Sequence, residues 1–376
     1  MKPLEGLLVV TVEQALAAPL CTARLAEAGA RVIKIERKEG DFARGYDQAA
    51  KGASTYFTWT NQGKESVVLN FRDPSDAELL EKLIAQADVF IQNLAPGAMD
   101  RAGFGSARLR KDYPKLTTVD ISGYGESEAV KHLKAYDFLI QAESGLTGIS
   151  GGEHEMGRFG VSICDIGAGM TAHAAVLEAL IKRSVSGQGS ALAISLFDVA
   201  ADWMSVPLMH EEYGKGAPKR VGLKHPSMAP YGAFETSEQA LTLISVQNER
   251  EWHRFCDIVL NQACAATDER FSSNNARVNN REALESMILA VTRSMTKEQL
   301  KERLIAADIA FGAVNSVKEL GEHPALKRRT VCNELGEEIS IPRLPIRWLE
   351  ESTEQVALLA PKLGGHTNRI QQEFLS

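Results

Sequence analysis

The first 37 residues alternate between an apolar run, a helix-forming stretch and a second apolar run. Residues 7–12 are rich in β-branched side chains, residues 15–28 are rich in Ala and Leu, and residues 31–36 again favour a strand. Gly29 suits the position just after a helix. A strand, a helix and a strand at this spacing predict two parallel strands joined by a right-handed crossover.

The same alternation continues along the chain. Asp73 and Pro74 are typical of an N-cap and a first helical residue, and they predict a helix that extends to about Gln86. Further strands are predicted at 66–70, 88–92, 116–122 and 191–196. This pattern predicts an α/β fold with an open parallel sheet. Ligands bind such sheets beyond the carboxyl ends of the strands.

The second half of the chain has a different pattern of predicted helices and strands. Residues 144–160 are dense in glycine and are predicted to form turns without a helix. Long helices are predicted at 167–183 and 197–213, and a domain boundary near 214–218. Strands at 231–235 and 241–246, with helices at 249–260, 281–294 and 297–306, predict a smaller α+β domain. The expected domains are a large one over 1–213, a small one over 214–328, and a return to the large one over 329–376.

Composition excludes several classes of protein. The chain carries 42 Lys and Arg against 49 Asp and Glu, a formal net charge of −7, which argues against a nonspecific nucleic-acid binder. We expect no membrane span, because no apolar run approaches the roughly 18–20 residues required. Five scattered cysteines without a CxxC pair predict neither a disulfide framework nor a zinc site. A cytoplasmic location is expected.

The common cofactor and catalytic motifs are missing from the sequence. Neither GxGxxG nor GxxxxGK[ST] is present, so the predicted sheet does not imply NAD or ATP chemistry. GxSxG and HExxH are missing too, and the eight histidines show no ligand spacing. The sequence therefore predicts no bound metal.

Asp165 lies between an apolar stretch and a helix rich in Ala and Gly. Taken alone, it is most simply the N-cap of that helix. The functional alternative is a carboxylate held at a helix N-terminus and faced by a glycine loop that leaves backbone open to a substrate. Such a carboxylate could be a nucleophile or a base.

Several short motifs follow each other in register along the chain. They are Leu4-Glu5-Gly6-Leu7, Ala18-Pro19-x-Cys21-Thr22, Val32-Ile33-Lys34-Ile35-Glu36, Asn61-x-Gly63-Lys64-x-Ser66, Pro96-Gly97, Asp165, Gly187-x-Gly189 and Leu363-Gly364-x-His366-Thr367. The ordered set resembles the class III CoA-transferases, the formyl-CoA transferase family, which also contains α-methylacyl-CoA racemase. Gly365 departs from the pattern, because an acidic residue is expected there.

The resemblance implies a large Rossmann-like domain that binds CoA, a small α+β domain and a homodimer of two interlocked rings. It also implies an aspartate nucleophile, which Asp165 matches. Coenzyme A is then a substrate carried on an acyl-CoA, and no tightly bound cofactor is implied. By position in the motifs, the residues that match CoA contacts are Leu16, Arg37, Leu69, Arg72, Asn93, Leu94, Arg101 and Lys134. Tyr136 matches an active-site tyrosine that contacts the substrate.

The racemase branch is the enzymatic alternative. Its proton shuttle needs a histidine where this chain has Tyr136, just before Asp137. A tyrosine, with a reference pKa of about 10, is a poor base near neutrality. The resemblance therefore favours a transferase. A protein that binds CoA without catalysis is a third possibility.

Residues 222–232 stand where formyl-CoA transferase has a run of consecutive glycines. This departure disfavours a formyl/oxalyl pair. Together with residues 246–252, the stretch is more similar to family members that act on short dicarboxylates such as itaconate, mesaconate, citramalate or malate, with a donor such as succinyl-CoA. Lys224 and His225 are candidates to bind the distal carboxylate; the alternative is a loop that simply turns at Pro226.

Overall fold

The computed structural model describes residues 2–349 and 357–375. The chain divides into two compact units. The first comprises Met1–Leu146, Arg158–Val206 and Lys327–Ser376, and the second comprises Thr147–Gly157 and Pro207–Leu326. The domain limits given above from the sequence stay predictions.

The first unit is built on a six-stranded sheet in which every neighbouring pair is parallel. Its strands are β1 (Leu8–Val12), β2 (Arg31–Glu36), β3 (Lys64–Val68), β4 (Val89–Gln92), β5 (Thr117–Ser122) and β6 (Ala191–Ser195). The order across the sheet is β3-β2-β1-β4-β5-β6, so the direction of winding reverses between β1 and β4. That reversal is where open α/β sheets bind ligands, and the predicted α/β sheet is confirmed.

Helices lie between these strands and after the last of them along the chain. They are α1 (Ala17–Glu27), α2 (Thr55–Thr60), α3 (Pro74–Gln86), α4 (Ala98–Arg101), α5 (Ser106–Asp112), α6 (Asp137–Glu143), α7 (Leu146–Ile149), α8 (Ile163–Ser186), α9 (Leu196–Trp203) and α10 (Ser205–Tyr213). Asp73 caps α3 by accepting a hydrogen bond from the Ser75 N–H, as predicted. Gly29 follows α1 with a φ of +105°, a conformation that favours glycine.

The second unit contains a three-stranded antiparallel sheet of β7 (Tyr231–Glu235), β8 (Leu241–Ser245) and β9 (Ala310–Ala313). Its helices are α11 (Glu249–Arg254), α12 (Asn274–Asn279), α13 (Arg281–Thr292), α14 (Lys297–Ala306) and α15 (Val317–Glu322). Trp252, Phe255 and Phe271 lie in its core. The guanidinium of Arg277 is also buried there, because it donates to the carbonyls of Ala229 and Phe271 and pairs with a carboxylate.

Four sequence-based predictions of secondary structure are wrong in detail. The glycine-dense segment contains the short helix α7, and the predicted helix 197–213 is two helices, α9 and α10. The predicted helix 249–260 is α11 followed by a π-helical turn over Phe255–Val259. The helix predicted to start at 167 is α8, which begins at Ile163. The sequence also did not predict the strand β9, the hairpin of β10 (Arg328–Cys332) and β11 (Glu338–Pro342), or the short helices α2, α4, α5, α6, α12 and α15.

The glycines of α8 allow close packing within the first unit. A Cβ built on Gly169 would lie 2.6 Å from the carbonyl oxygen of Ala17, and one built on Gly167 would lie 2.4 Å from the ring of Trp203. These glycines therefore bring α8 against α1 and α9, and the expectation that a glycine loop faces Asp165 stays a prediction. Of the described helices, α8 is long and apolar enough to cross a membrane by length and composition. Its inner face is buried against α1, as in the core helix of a folded domain.

The C-terminal motif, residues 363–367, is hydrogen-bonded to the edge strand β3. Ser66 Oγ accepts a hydrogen bond from the Gly364 N–H at 2.9 Å, and the Ser66 carbonyl accepts from the His366 N–H at 3.0 Å. Thr367 Oγ1 accepts from the Val68 N–H at 3.0 Å. Unpaired edge strands are prone to pairing with other chains, so this segment, which leads into α16 (Thr367–Leu375), protects the sheet.

A network of four charges is fully buried beside the ends of β1, β2 and β3. Lys64 Nζ lies 2.7 Å from Glu13 Oε1, and Lys34 Nζ lies 2.6 Å from Asp41 Oδ2. Asn61 Oδ1 accepts hydrogen bonds from both lysines, at 3.0 and 3.1 Å. Burial lowers the pKa of Lys64 to about 8, although Glu13 opposes the effect. Asn61 and Lys64 therefore have a structural role, because they form part of this buried network.

We predict that Lys64→Met destabilises the protein strongly, because it leaves Glu13 buried next to an apolar side chain. Breaking one partner of a buried pair costs about 3–5 kcal/mol. Urea unfolding measures this loss. Lys82→Met, which changes an exposed lysine on α3, is the control and should change the free energy of unfolding by about 0.5 kcal/mol or less. Equal, small effects of both substitutions would contradict the assignment.

Candidate functional site

A cavity of about 240 Å³ opens at the carboxyl ends of β1 to β4. Three residues predicted to contact CoA line it: Arg37 after β2, Leu69 after β3 and Leu94 after β4. Arg37 is exposed and donates from Nε to the Gly40 carbonyl at 3.1 Å. Leu69 and Leu94 give the cavity apolar walls and Arg37 adds a cation at the point where the winding of the sheet reverses, as in nucleotide sites of this kind of fold. Glu13, Glu36 and Asp41 also line the cavity, and each is paired with a lysine or an arginine.

Two other predicted CoA residues belong to the frame of this cavity. Asn93 accepts a hydrogen bond from the Gln14 N–H and donates one to the Gln14 carbonyl, both at 2.9 Å, so its side chain fastens the loop after β1. Leu16 precedes α1, and its side chain is buried. Because the Asn93 side chain is hydrogen-bonded to Gln14 and the Leu16 side chain is buried, a ligand would contact the backbone of this loop.

The other three residues predicted to contact CoA are exposed cations on the same unit. Arg72 follows β3, Arg101 ends α4, and Lys134 lies two residues before Tyr136. A Cβ added to Gly97, which has a φ of +73°, would lie 2.8 Å from Nη1 of Arg101, so the guanidinium extends over the turn after β4. These side chains remain available to an anionic ligand.

Asp165 occupies the third position of α8 and is half-buried. The N-cap position belongs to Ser162, so the prediction that Asp165 is the N-cap is wrong. None of the described residues donates a hydrogen bond to the Asp165 carboxylate, although its own backbone N–H is engaged. The carboxylate is therefore held by its helix and is open to a reaction partner.

The buried carboxylate of Asp137, the first residue of α6, holds the first turn of α8. Its Oδ1 accepts hydrogen bonds from the N–H groups of Cys164 at 2.8 Å and Asp165 at 3.1 Å. Its Oδ2 accepts from Gln141 Nε2 at 2.7 Å. Asp137 therefore satisfies helix amides that a local cap would otherwise satisfy, and it fixes a negative charge beside Asp165.

Burial raises the pKa of Asp165 from its ordinary value of 3.8 to about 7, and the charge of Asp137 adds to the effect. A carboxylate near the start of a helix is normally stabilised by the helix dipole, so burial and repulsion outweigh that contribution. A pKa near the working pH gives a more basic, more nucleophilic carboxylate, which is a common property of catalytic sites.

Two tyrosines lie near this carboxylate. Tyr136 precedes α6 and is 62% exposed. The Tyr46 ring packs edge-on against Tyr56, with 5.5 Å between ring centroids. Burial raises the pKa of Tyr46 to about 12, with further contributions from the charges of Asp41 and Asp165 and from Tyr136. Tyr46 can therefore offer a neutral O–H to a substrate at neutral pH.

Lys224 and His225 belong to the second unit. Lys224 Nζ lies 2.6 Å from Glu285 Oε2, so the lysine already has a counter-ion. His225 stacks on Tyr231 with 5.2 Å between ring centroids, and its Nδ1 accepts a hydrogen bond from the Ser227 N–H. Their role as ligands of a distal carboxylate stays a prediction.

The sequence analysis missed Asp137 and Tyr46 as members of the site. Asp137 follows Tyr136 directly, and a second acidic residue next to an active-site candidate was the available signal. Tyr46 carried no signal, because its segment, after β2, has neither a motif nor a periodic pattern.

Comparison with known proteins assigns the family. The sequence model described as "CoA-transferase family III" matches residues 4–367. An acetyl-CoA:oxalate CoA-transferase of Acetobacter aceti is 31% identical, over 99% of this chain and 96% of its own length. A succinyl-CoA:glutarate CoA-transferase of Mus musculus is 30% identical, over 100% of this chain and 87% of its own length. The chain therefore belongs to CoA-transferase family III.

The structural comparison agrees with this assignment. The crystal structure of a CaiB/BaiF family protein from Brucella suis superposes with a TM-score of 0.86, at 30% sequence identity and with 99% of both chains covered. The resemblance inferred from the motifs is thereby confirmed. The protein is an enzyme, a class III CoA-transferase, and enzymes of this class use an acyl-CoA as substrate.

We predict that the charge of Asp165 reduces stability at neutral and higher pH. With a folded-state pKa of about 7 against an ordinary value of 3.8, the stability contribution is present below about pH 4 and is lost as the pH rises through 7. Asp165→Asn should therefore raise the Tm at pH 8 and leave it nearly unchanged at pH 4. Asp257→Asn, at an exposed position, is the control, and an equal shift there would contradict the prediction.

Proposed function

We propose that this enzyme moves CoA from a donor such as succinyl-CoA to a short dicarboxylic acid through a covalent thioester on Asp165. The observation that carries the proposal is the Asp165 carboxylate itself, which is half-buried, accepts no hydrogen bond from the described residues, and has a pKa raised to about 7. A carboxylate with an ordinary structural role would be capped or paired.

The proposed chemistry proceeds in four displacements. The Asp165 carboxylate attacks the thioester carbonyl of the donor, which forms a mixed anhydride and releases the CoA thiolate. The thiolate attacks the aspartyl carbonyl, which forms the aspartyl-CoA thioester and releases the donor acid. The acceptor carboxylate then attacks this thioester, and the released thiolate attacks the acceptor carbonyl. The second acyl-CoA leaves, and Asp165 is a carboxylate again. The covalent steps preserve the thioester energy that hydrolysis would lose.

The CoA moiety is proposed to enter the cavity at the carboxyl edge of the sheet. Leu69 and Leu94 would contact the adenosine, with Leu16 and Asn93 supporting its pocket. The cations proposed for the phosphates are Arg37, Arg72, Arg101 and Lys134. Arginine and lysine suit this role because charge-assisted hydrogen bonds to phosphate are strong. Tyr136 is proposed to contact the acyl group.

The acid is proposed to be a short dicarboxylate of four or five carbons, because residues 222–232 disfavour the formyl/oxalyl pair. The names of the relatives give oxalate and glutarate as acceptors, and itaconate, mesaconate, citramalate and malate lie within the same range. Lys224 and His225 are the proposed contacts of the distal carboxylate, which would have to compete with Glu285 for the lysine. A homodimer is proposed on the resemblance alone, and a cytoplasmic location is proposed from the five scattered cysteines, which predict no disulfide framework.

We predict that Asp165→Ala and Asp165→Asn lower transfer from succinyl-CoA by at least about a thousandfold, because both remove the nucleophile. Transfer is measured with oxalate, glutarate and the C4–C5 acids as acceptors. Intact-mass spectrometry after incubation with succinyl-CoA should show a CoA-sized adduct on the unmodified protein and none on the variants.

Full transfer activity of Asp165→Ala would contradict the proposal. Asp257→Asn is the control that should keep both adduct and activity. Exchange of the α-proton with solvent deuterium in a 2-methylacyl-CoA, without an acceptor acid, would instead indicate racemase action. Tight CoA binding with no exchange of label between acyl-CoA and free acid would indicate a protein that only binds CoA.

A further inference from the structure

Gln141 is a fully buried residue of α6 to which the proposed mechanism gives no role. Its Nε2 donates to Asp137 Oδ2 at 2.7 Å and, more weakly, to the Val161 carbonyl at 3.4 Å. Its Oε1 accepts from the Phe159 N–H at 2.9 Å. Both ends of the amide are thus engaged with groups that adjoin the start of α8.

Two connections lead from Gln141 to Asp165. One passes through Asp137, whose other oxygen accepts the N–H groups of Cys164 and Asp165. The other passes along the chain, because residues 159–161 enter α8 directly and Val161 lies four residues before Asp165. One side chain therefore fixes both the group that holds the first turn of the helix and the segment that leads into it.

The first turn of α8 has little local support. The side chain of Ser162, at the N-cap, makes no capping hydrogen bond with the described residues. The backbone N–H groups of Cys164 and Asp165 in this turn depend on Asp137, and Asp137 is in turn hydrogen-bonded to Gln141. We propose that Gln141 is a positioning residue for Asp165, setting the place of the carboxylate without touching the substrate. This inference rests on the proposed role of Asp165 as the nucleophile.

Covalent catalysis is sensitive to such a displacement, because a misplacement of about 1 Å can cost about a hundredfold in rate. Gln141→Met keeps the length of the side chain and removes its donor and its acceptor. We predict that adduct formation from succinyl-CoA in a single turnover slows about 10- to 100-fold. The Kd for free CoA should change by less than about twofold, because Gln141 does not line the cavity proposed for CoA.

Gln62 provides a matched control. It is also fully buried, and its Nε2 donates to the carbonyls of Thr58 and Cys332. Gln62→Met should lower the Tm as Gln141→Met does, without slowing adduct formation per folded molecule. If Gln62→Met slows the reaction equally, or if Gln141→Met reacts at the unmodified rate, the positioning role is wrong.

A second variant covers the case in which Gln141→Met does not fold. Gln141→Glu keeps the oxygen that accepts from Phe159 and replaces the donor to Asp137 and Val161 with an oxygen that repels the Asp137 carboxylate when ionised, so slowing of at least the same size is expected. The unmodified protein and Asp165→Asn are measured first. If the unmodified protein forms no adduct on Asp165, the proposed function fails. If it does and both Gln141 variants react at its rate, only the inference about Gln141 fails.

Discussion

The contact between the Asp137 carboxylate and the first turn of α8 determines what Asp165 can do. Oδ1 of Asp137 accepts the N–H groups of Cys164 and Asp165, so the helix amides are satisfied from a neighbouring helix. The side chain of Asp165 is then left without a capping role and lies half-buried next to a fixed negative charge. Its pKa is raised for that reason as well as by burial. Two carboxylates in different surroundings thus take different roles.

The loop after β1, at the carboxyl edge of the sheet, is also held in place without a ligand. Asp41, held by Lys34, accepts a hydrogen bond from the Ala15 N–H at 3.0 Å, while Asn93 fastens Gln14. Ala15 has a φ of +65°, which is unfavourable for a residue with a Cβ and persists only where the surroundings impose it. The buried charges therefore shape the loop that borders the cavity, and a preorganised loop lowers the cost of ordering a ligand site.

The parallel sheet followed from the sequence because each strand and helix carries its own local pattern. The helix over 74–86 was predicted with its cap, and β2 was predicted to the residue. β3 lies two residues earlier than predicted, because its end is set by pairing with β2. Such pairing is a tertiary effect that a local pattern does not contain.

The surroundings of Asp165 could not be predicted in the same way. The motif indicated the residue, but its environment depends on Asp137, 28 positions away. The sequence predicts a helix over Gly167 and Gly169, although glycine disfavours a helix interior by about 1 kcal/mol. Close packing against Trp203 and Ala17 overrides that preference, and no pattern within the segment shows it.

The pH dependence of adduct formation tests the central claim most directly. The rate at which the unmodified protein acquires a CoA-sized adduct from succinyl-CoA is measured in single turnovers between pH 5 and 9. A nucleophile with a pKa of about 7 predicts a rate that is half-maximal near pH 7 and falls about tenfold for each pH unit below about pH 6. A rate that stays constant down to pH 5 would show that Asp165 ionises as an ordinary carboxyl group, and would contradict the account.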